Sequence, residues 1–441
     1  MKSLLLLDIS RLIWRARRRG PTGIDRVELA YARHFLCGQT ERPVLPVLHL
    51  GGLLFAPSPA GARRFVTILA RRWEASAPKS RRLHWAAIAK TYLHLLTGSW
   101  RFGPWLRSRL RKHAGAPIFL VVSHHHVARN FTIAQIRSRL GAKTACFVHD
   151  LIPIEYPEYF GRGWEKRYQR LSSALAKHFD AVIANSEATA HALRTHVRAA
   201  PASASPARAV RVASPGVRAF PRPRATRGVP GTKIQVGPHT PYFVVLGTIE
   251  PRKNHLLLLN LWTRLAATQS PPRLLVIGAR GWENEQVLDM LERSRRLRGL
   301  VEEHNGLTDV EIGALLHHAR ALLVPSIAEG FGLPLAEALA SGVPALCSDI
   351  PSFREVGRNV PEYLDPLEVK AWEHAVSDYA RPDSARRAAQ MQRLSGWRRP
   401  RWRDHFTAVE QLLGELDSSI RTTAAISHAV TATAGPAVES T

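Results

Sequence analysis

The densest concentration of chemically able residues lies between Ala321 and Leu346, which reads ALLVPSIAEGFGLPLAEALASGVPAL. An apolar run ends at Pro325 and a loop with Gly330 and Gly332 follows. Pro334 then suits the first turn of a helix, and Gly342 suits its stop. Such a strand–loop–helix unit brings ligands to the carboxyl end of the strand, where free N–H groups and the positive end of the helix dipole favour phosphate. Gly330 and Gly332 let backbone amides approach a ligand closely. Two carboxylates eight positions apart frame this pocket. Glu329, in the loop, can accept hydrogen bonds from sugar hydroxyls, and Glu337, expected in the first helical turn, can do the same for a ribose diol.

A second loop, Gly247-Thr248-Ile249-Glu250-Pro251-Arg252-Lys253-Asn254, follows an apolar run and precedes a leucine-rich segment that Asn254 is suited to cap. Adjacent cations at a strand end can neutralise a departing diphosphate, on which negative charge grows as its bond to a sugar breaks. In the first half, Pro21-Thr22-Gly23-Ile24-Asp25-Arg26-Val27 makes a turn after the first apolar run, and Val148-His149-Asp150 ends another. Plainer readings compete at each place: solvated surface charges for Arg252-Lys253, a simple turn for Gly23, and a core-edge histidine for His149.

Pro-Ser-x-x-Glu-Gly-Phe-Gly-Leu-Pro-x-x-Glu-Ala resembles the signature of the GT-B retaining glycosyltransferases called family 4, or glycosyl transferases group 1. The 247–254 loop resembles that family's donor-diphosphate motif. Asn305-Gly306-Leu307-Thr308-Asp309 resembles its loop near the nucleotide base, and Pro21–Val27 its glycine-rich turn. The resemblance implies an α/β chain of two doubly wound Rossmann-like domains facing a cleft, with a C-terminal helix crossing back to the first domain. It implies His149 and Glu329 as catalytic residues beside the donor sugar. The donor-binding set would be Gly23, Arg252, Lys253, Asn305, Gly306, Gly330, Phe331, Gly332, Leu333 and Glu337. The reaction implied is transfer of a hexose, mannose among the candidates, from a nucleotide-diphosphate sugar with retention at the anomeric carbon. No Asp-x-Asp occurs, so no cofactor or metal is expected, and cationic side chains and helix dipoles would do a metal's work. His124-His125-His126 lacks a completing Cys or carboxylate and alternates faces along a strand, which argues against zinc.

Short apolar runs must position these loops: Leu4–Asp8, Ile118–Ser123, Thr144–His149, Ala181–Ala184, Tyr242–Gly247, Arg273–Gly278, Ala321–Pro325 and Pro344–Ser348. Each suits a buried parallel strand followed by a crossover helix. The expected organisation is an acceptor domain over 1–220, a linker over 221–237 and a donor domain over 238–395. A return helix over 396–418 and a disordered tail over 419–441 would follow.

Charge separates the halves. Residues 1–240 hold 40 Lys and Arg against 11 Asp and Glu, a net of +29, whereas 241–441 carry −2. This asymmetry favours an anionic partner. The Arg- and Trp-rich stretch 60–113 suits either an anionic lipid surface or a basic helix face packed on the domain. A basic nucleic-acid-binding protein would also explain the charge, but no recognised binding motif is present. A catalytically idle GT-B scaffold is a further alternative, against which stand Glu329, Glu337 and Arg252-Lys253, all retained. Leu4–Leu7 is too short for a leader or a span, and Cys37, Cys146 and Cys347 are scattered. The expectation is a cytoplasmic enzyme, peripheral on the inner face of the plasma membrane, serving a lipid-diphosphate-linked or glycan acceptor.

Overall fold

The computed structural model describes residues 2–18, 20–38, 40–50, 53–74, 100–101, 115–123, 127, 130–198, 209–222 and 240–433. Two sheets organise them. The first contains β1 (Leu5–Asp8), β2 (Val44–Leu50), β3 (Leu53–Ala56), β4 (Trp100–Arg101), β5 (Ile118–Val121), β6 (Lys143–Val148), β7 (Ala181–Ala184) and β8 (Ala209–Val212). Their order is β4-β3-β2-β1-β5-β6-β7-β8, and only β2–β3 and β3–β4 pair antiparallel. The second contains β9 (Tyr242–Leu246), β10 (Arg273–Ile277), β11 (Val301–His304), β12 (Leu322–Val324), β13 (Ala345–Ser348) and β14 (Glu362–Leu364). It is wholly parallel in the order β11-β10-β9-β12-β13-β14. All eight apolar runs of the sequence form strands, and the fold is a pair of doubly wound α/β domains.

Period-two alternation builds the cores on both sheet faces. Leu5 and Leu7 enter one cluster of the first domain while Leu4 and Leu6 enter the other. In the second domain Val244 and Leu246 take one face, and Phe243 and Val245 the opposite one. Strand order reverses between β1 and β5 in the first sheet and between β9 and β12 in the second. Loops leaving the carboxyl ends of strands at such reversals form a crevice, the usual ligand site of open α/β sheets. The loop after β9 carries Arg252 and Lys253, and the loop after β12 carries Glu329.

The helix Trp402–Thr433 packs Phe406, Val409, Leu412, Leu413, Leu416 and Ile420 into the core of the first domain. Arg42 fastens it there through a buried ion pair with Asp417 at 2.7 Å. Its bounds correct those expected from sequence. Pro400, which cannot continue a helix backwards, keeps it from starting at 396. It also runs past 418 into the stretch expected to be disordered, because a helix already nucleated extends one residue at a time. Residues 223–237 of the expected linker lie outside the described residues, as do His124–His126.

Of the basic stretch 60–113, the helix Pro59–Glu74 is described. It buries Phe65, Val66, Leu69 and Trp73 in the first domain, so its apolar face is occupied by protein. The rest, apart from β4, lies outside the described residues. No helix among the described residues is long and apolar enough to cross a membrane.

Candidate active site

The loop after β9 passes through a 3-10 turn, Pro251–Lys253, before the helix His255–Leu265 begins. Both cations are held by carboxylates. Arg252 donates to Glu329 Oε2 at 2.9 Å and to the Ala328 carbonyl at 3.0 Å, and its other terminal nitrogen lies 2.6 Å from Glu250 Oε1. Lys253 Nζ bonds Glu329 Oε1, which also accepts from Ser326 Oγ at 2.9 Å. Burial pushes the Glu329 carboxyl up, but Lys253 and Arg252 outweigh it and hold the group down at about 2. Glu329 is therefore ionised, and two cations share its charge.

Asn254 stands at the helix N-cap position in the left-handed region, φ 55°, without making the capping bond expected of it. Its side-chain amide donates instead to the Pro366 carbonyl at 2.9 Å. That bond ties the cationic loop to the chain beyond β14.

The loop after β12 meets the first domain at Gly330. A Cβ there would lie 2.1 Å from the His149 carbonyl oxygen and 3.0 Å from Asp150 Cβ, so only glycine fits. The Gly330 carbonyl accepts from Ser186 Oγ at 2.5 Å and Thr189 Oγ1 at 3.2 Å. Asn185 holds the other side of the junction, donating to the His149 carbonyl at 2.6 Å. Glu329 thus lies one residue from the seam where the two domains touch.

His149 does reach this seam, but through its backbone. Its ring is buried, with Nε2 3.0 Å from the Val122 carbonyl, and burial pulls it down to about 4, so it is neutral. Asp150 is the titratable neighbour. Burial raises its carboxyl to about 6 against the opposing pull of Arg252, and Glu329 and Glu250 raise it further. Sequence reading gave this aspartate no role. The signal was its place directly after a strand-end histidine.

Gly332 begins the helix Leu333–Ala340 at φ +93°, with the Phe353 ring 2.7 Å from where a Cβ would sit. Pro334 is the second helical residue, and Gly342, at φ +75°, follows the helix end. Glu337 lies one turn deeper than expected, since Leu333 is the first helical residue. Phe331 is buried among Val217, Ala336 and Val356, an apolar contact that fixes the loop.

Glu337 opens onto an interdomain cavity of about 1150 Å³, whose walls include Pro21, Arg26, Asp309 and Leu333. Glu329, Arg252 and Lys253 do not line it. Burial pushes the Glu337 carboxyl up to about 7; Arg26 lowers it and Asp309 raises it. Gly23 stands across the cleft from Leu333, whose Cδ1 lies 2.8 Å from where a Gly23 Cβ would sit. Asn305 and Gly306 are exposed and do not line the cavity. Asp309, four residues beyond Asn305, is the member of that loop that does. The two residues missed here, Arg26 and Asp309, are 283 positions apart, and only the fold brings them together.

The cleft therefore offers a cation pair at the β9/β12 reversal, an ionised carboxylate between those cations, a helix N-terminus and a second carboxylate facing an open cavity. That set suits a ligand with a diphosphate and hydroxyl groups at both ends. Residues 60–219 match the family described as Glycosyltransferase Family 4, and residues 233–377 match glycosyl transferases group 1. The chain belongs to this glycosyltransferase family.

Among curated relatives, the serotype-specific mannosyltransferase WbdA of Escherichia coli is 28% identical over 231 residues, covering 51% of this chain and 28% of that protein. The O-antigen chain mannosyltransferase B of Escherichia coli is 33% identical over 167 residues, covering 38% of this chain and 44% of that one. The matched stretch thus spans less than half the length of either relative. The structure of Anabaena Alr3699/HepE in complex with UDP and glucose superposes with a TM-score of 0.58 at 14% identity, covering 95% of this chain and all of that one. At that identity the likeness concerns the fold.

Proposed function

We propose that this chain transfers a hexose, mannose foremost, from a nucleotide-diphosphate sugar to a glycan or lipid-linked acceptor during assembly of a cell-surface polysaccharide. The observation that carries the reading is the Arg252–Lys253–Glu329 cluster at the strand-order reversal, one helix start away from Glu337. The O-antigen mannosyltransferases among its relatives support the choice of sugar and acceptor. The UDP and glucose named with the Anabaena protein support a nucleotide-sugar donor.

In this reading the donor's diphosphate lies against Arg252 and Lys253, and Glu337 accepts from the ribose hydroxyls. Glu329 is the counter-charge of the cation pair in the donor-free cleft. When the diphosphate arrives, the cations turn to it and Glu329 is released to accept from the sugar hydroxyls. An acceptor hydroxyl forms its bond to the anomeric carbon with net retention as the bond to the diphosphate breaks, its proton passing to the departing phosphate oxygen, while Arg252 and Lys253 take up the charge growing on that leaving group. No metal enters this account. The excess positive charge of residues 1–240 draws the enzyme to the inner, anionic face of the plasma membrane, each cation near the surface contributing about 1 kcal/mol.

Purified protein offered a panel of nucleotide sugars in EDTA should hydrolyse one of them slowly and be stabilised by it against heat. Failure with every donor would overturn the reading, and binding without turnover would instead support an idle scaffold. Anionic liposomes should carry the protein in flotation at low salt and release it above about 0.5 M, where screening shortens the Debye length to a few Å. Equal binding to neutral liposomes would remove the membrane part.

A further inference from the structure

The cleft is bridged beside Glu337 by one ion pair between the domains. Arg26, on the helix Gly23–Ala32 of the first domain, donates from its two terminal nitrogens to the two carboxylate oxygens of Asp309, at 3.1 and 2.8 Å. Asp309 is the first residue of the helix Asp309–His318 in the second domain. This fork-to-fork geometry is the strongest form of a surface ion pair.

Both partners stand on stiff bases, which matters because most exposed pairs lose their benefit to side-chain ordering. The Arg26 helix starts with a capping box in which the Thr22 hydroxyl accepts from the Asp25 amide and Asp25 Oδ2 accepts from the Thr22 amide at 2.8 Å. Asp25 is gripped in turn by Arg11 at 3.1 Å and Arg15 at 2.8 Å. A second capping box, Thr308 with Glu311, fixes the Asp309 helix start, the Thr308 amide donating to Glu311 Oε2 at 2.6 Å. The two side chains remain 31% and 38% exposed, so water and a ligand reach them. Both line the cavity onto which Glu337 opens. Burial disfavours the charged form of Arg26, but its bond to Asp309 together with the negative charges of Glu337, Asp309 and Glu74 outweighs that and keeps it charged.

Other contacts across the seam differ in kind and place. The Gly330 carbonyl is held by Ser186 and Thr189, and Trp282 of the second domain stacks on Phe160 and Trp164 of the first at 6.0 Å. None of these lines the Glu337 cavity. Arg26 and Asp309 are therefore side chains that a nucleoside held in that cavity would meet.

We propose that Arg26 and Asp309 form a clasp that holds the two domains closed at the nucleoside end of the cleft and sets how long a bound nucleotide stays. They are positioning residues: neither needs to touch the reacting atoms. This rests on the proposed donor site, with Glu337 at the ribose. The clasp itself is a property of the donor-free protein.

The test is a double-mutant cycle on the full chain, with Arg26→Gln, Asp309→Asn and both together, read in two ways. Small-angle scattering without ligand should show an increased radius of gyration in all three variants, and in wild type at 0.5 M salt. Stopped-flow release of UDP and GDP should be about tenfold faster in each single variant, with association changed far less, as expected when a charge pair acts on residence rather than encounter. The double variant should be no worse than either single one. Wild-type compactness in the single variants, or additive effects in the double, would overturn the clasp. If neither nucleotide binds wild type, the donor-site reading fails, and scattering alone decides whether the clasp closes the domains.

Discussion

Glu329 and Glu337 lie eight positions apart on one loop–helix segment, yet the fold places them in opposite electrostatic settings. Glu329 sits among Lys253, Arg252 and Ser326 and stays ionised far into acid. Glu337 makes no ion pair among the described residues, faces an open cavity, and is pushed up to about 7 by burial. The lesson is that a repeated residue type within a motif does not mean a repeated role. The first carboxylate is the counter-charge of a cation pair, whereas the second faces open space; in the proposed function the one meets the reacting end of the donor and the other its ribose hydroxyls.

The largest effect should come from the Glu329 side. Arg252→Ala or Lys253→Ala should each cost about 2–4 kcal/mol of transition-state stabilisation, measured as loss of kcat/KM for sugar transfer. Glu329→Gln should lower kcat comparably with a smaller change in donor KM. Rates restored by added Mg²⁺, or untouched in all three variants, would break the asymmetry drawn here. A smaller loss is expected at Glu337, where Glu337→Gln removes charge-assisted acceptance worth about 1.5–3 kcal/mol. It should appear mainly as a raised donor KM.

Acid–base titration of stability sharpens the comparison further, because the two signs differ. Glu329 titrates lower in the folded chain than its ordinary 4.5. Its contribution is full above about pH 4.5 and is lost as pH falls toward 2. Glu337 titrates higher, so the folded chain holds the extra proton between pH 4.5 and 7 and stability falls as pH rises through that window. Urea unfolding across pH should show Glu337→Gln erasing a slope on the order of 1 kcal/mol there, a figure reduced for the solvent that reaches this half-buried group. Glu329→Gln should instead flatten the acid limb. Slopes of the same sign in both variants would contradict the assignment.

Much of the scaffold was legible in the sequence because buried parallel strands are short, apolar and bounded by turn residues. Others were not. β2 contains Pro46 yet forms a strand, and β11, reading Val-Glu-Glu-His, is an edge strand whose polar composition hides it. At the site, the loops carrying Arg252, Lys253, Glu329 and Glu337 could be read from strand-end position. What they bond to could not. Glu329 gives no local sign that its partners lie 76 and 77 positions away. Asn254 looks like a cap by composition, but its left-handed backbone sends the amide to Pro366. Phe331, inside the most specific motif, serves packing. The Arg26–Asp309 bridge, between residues 283 positions apart in sequence, joins two helices whose starts are each fixed by a capping box.

Calorimetric titration with UDP and GDP, set against uridine and guanosine, tests the central claim most directly. If Arg252 and Lys253 receive the diphosphate while Glu337 holds the ribose, the Arg252→Ala/Lys253→Ala double variant should weaken diphosphate binding at least about 30-fold, roughly 2 kcal/mol. It should leave nucleoside binding unchanged. Equal weakening of both ligands, or of neither, would contradict the claim that the two ends of this cleft divide the donor between them.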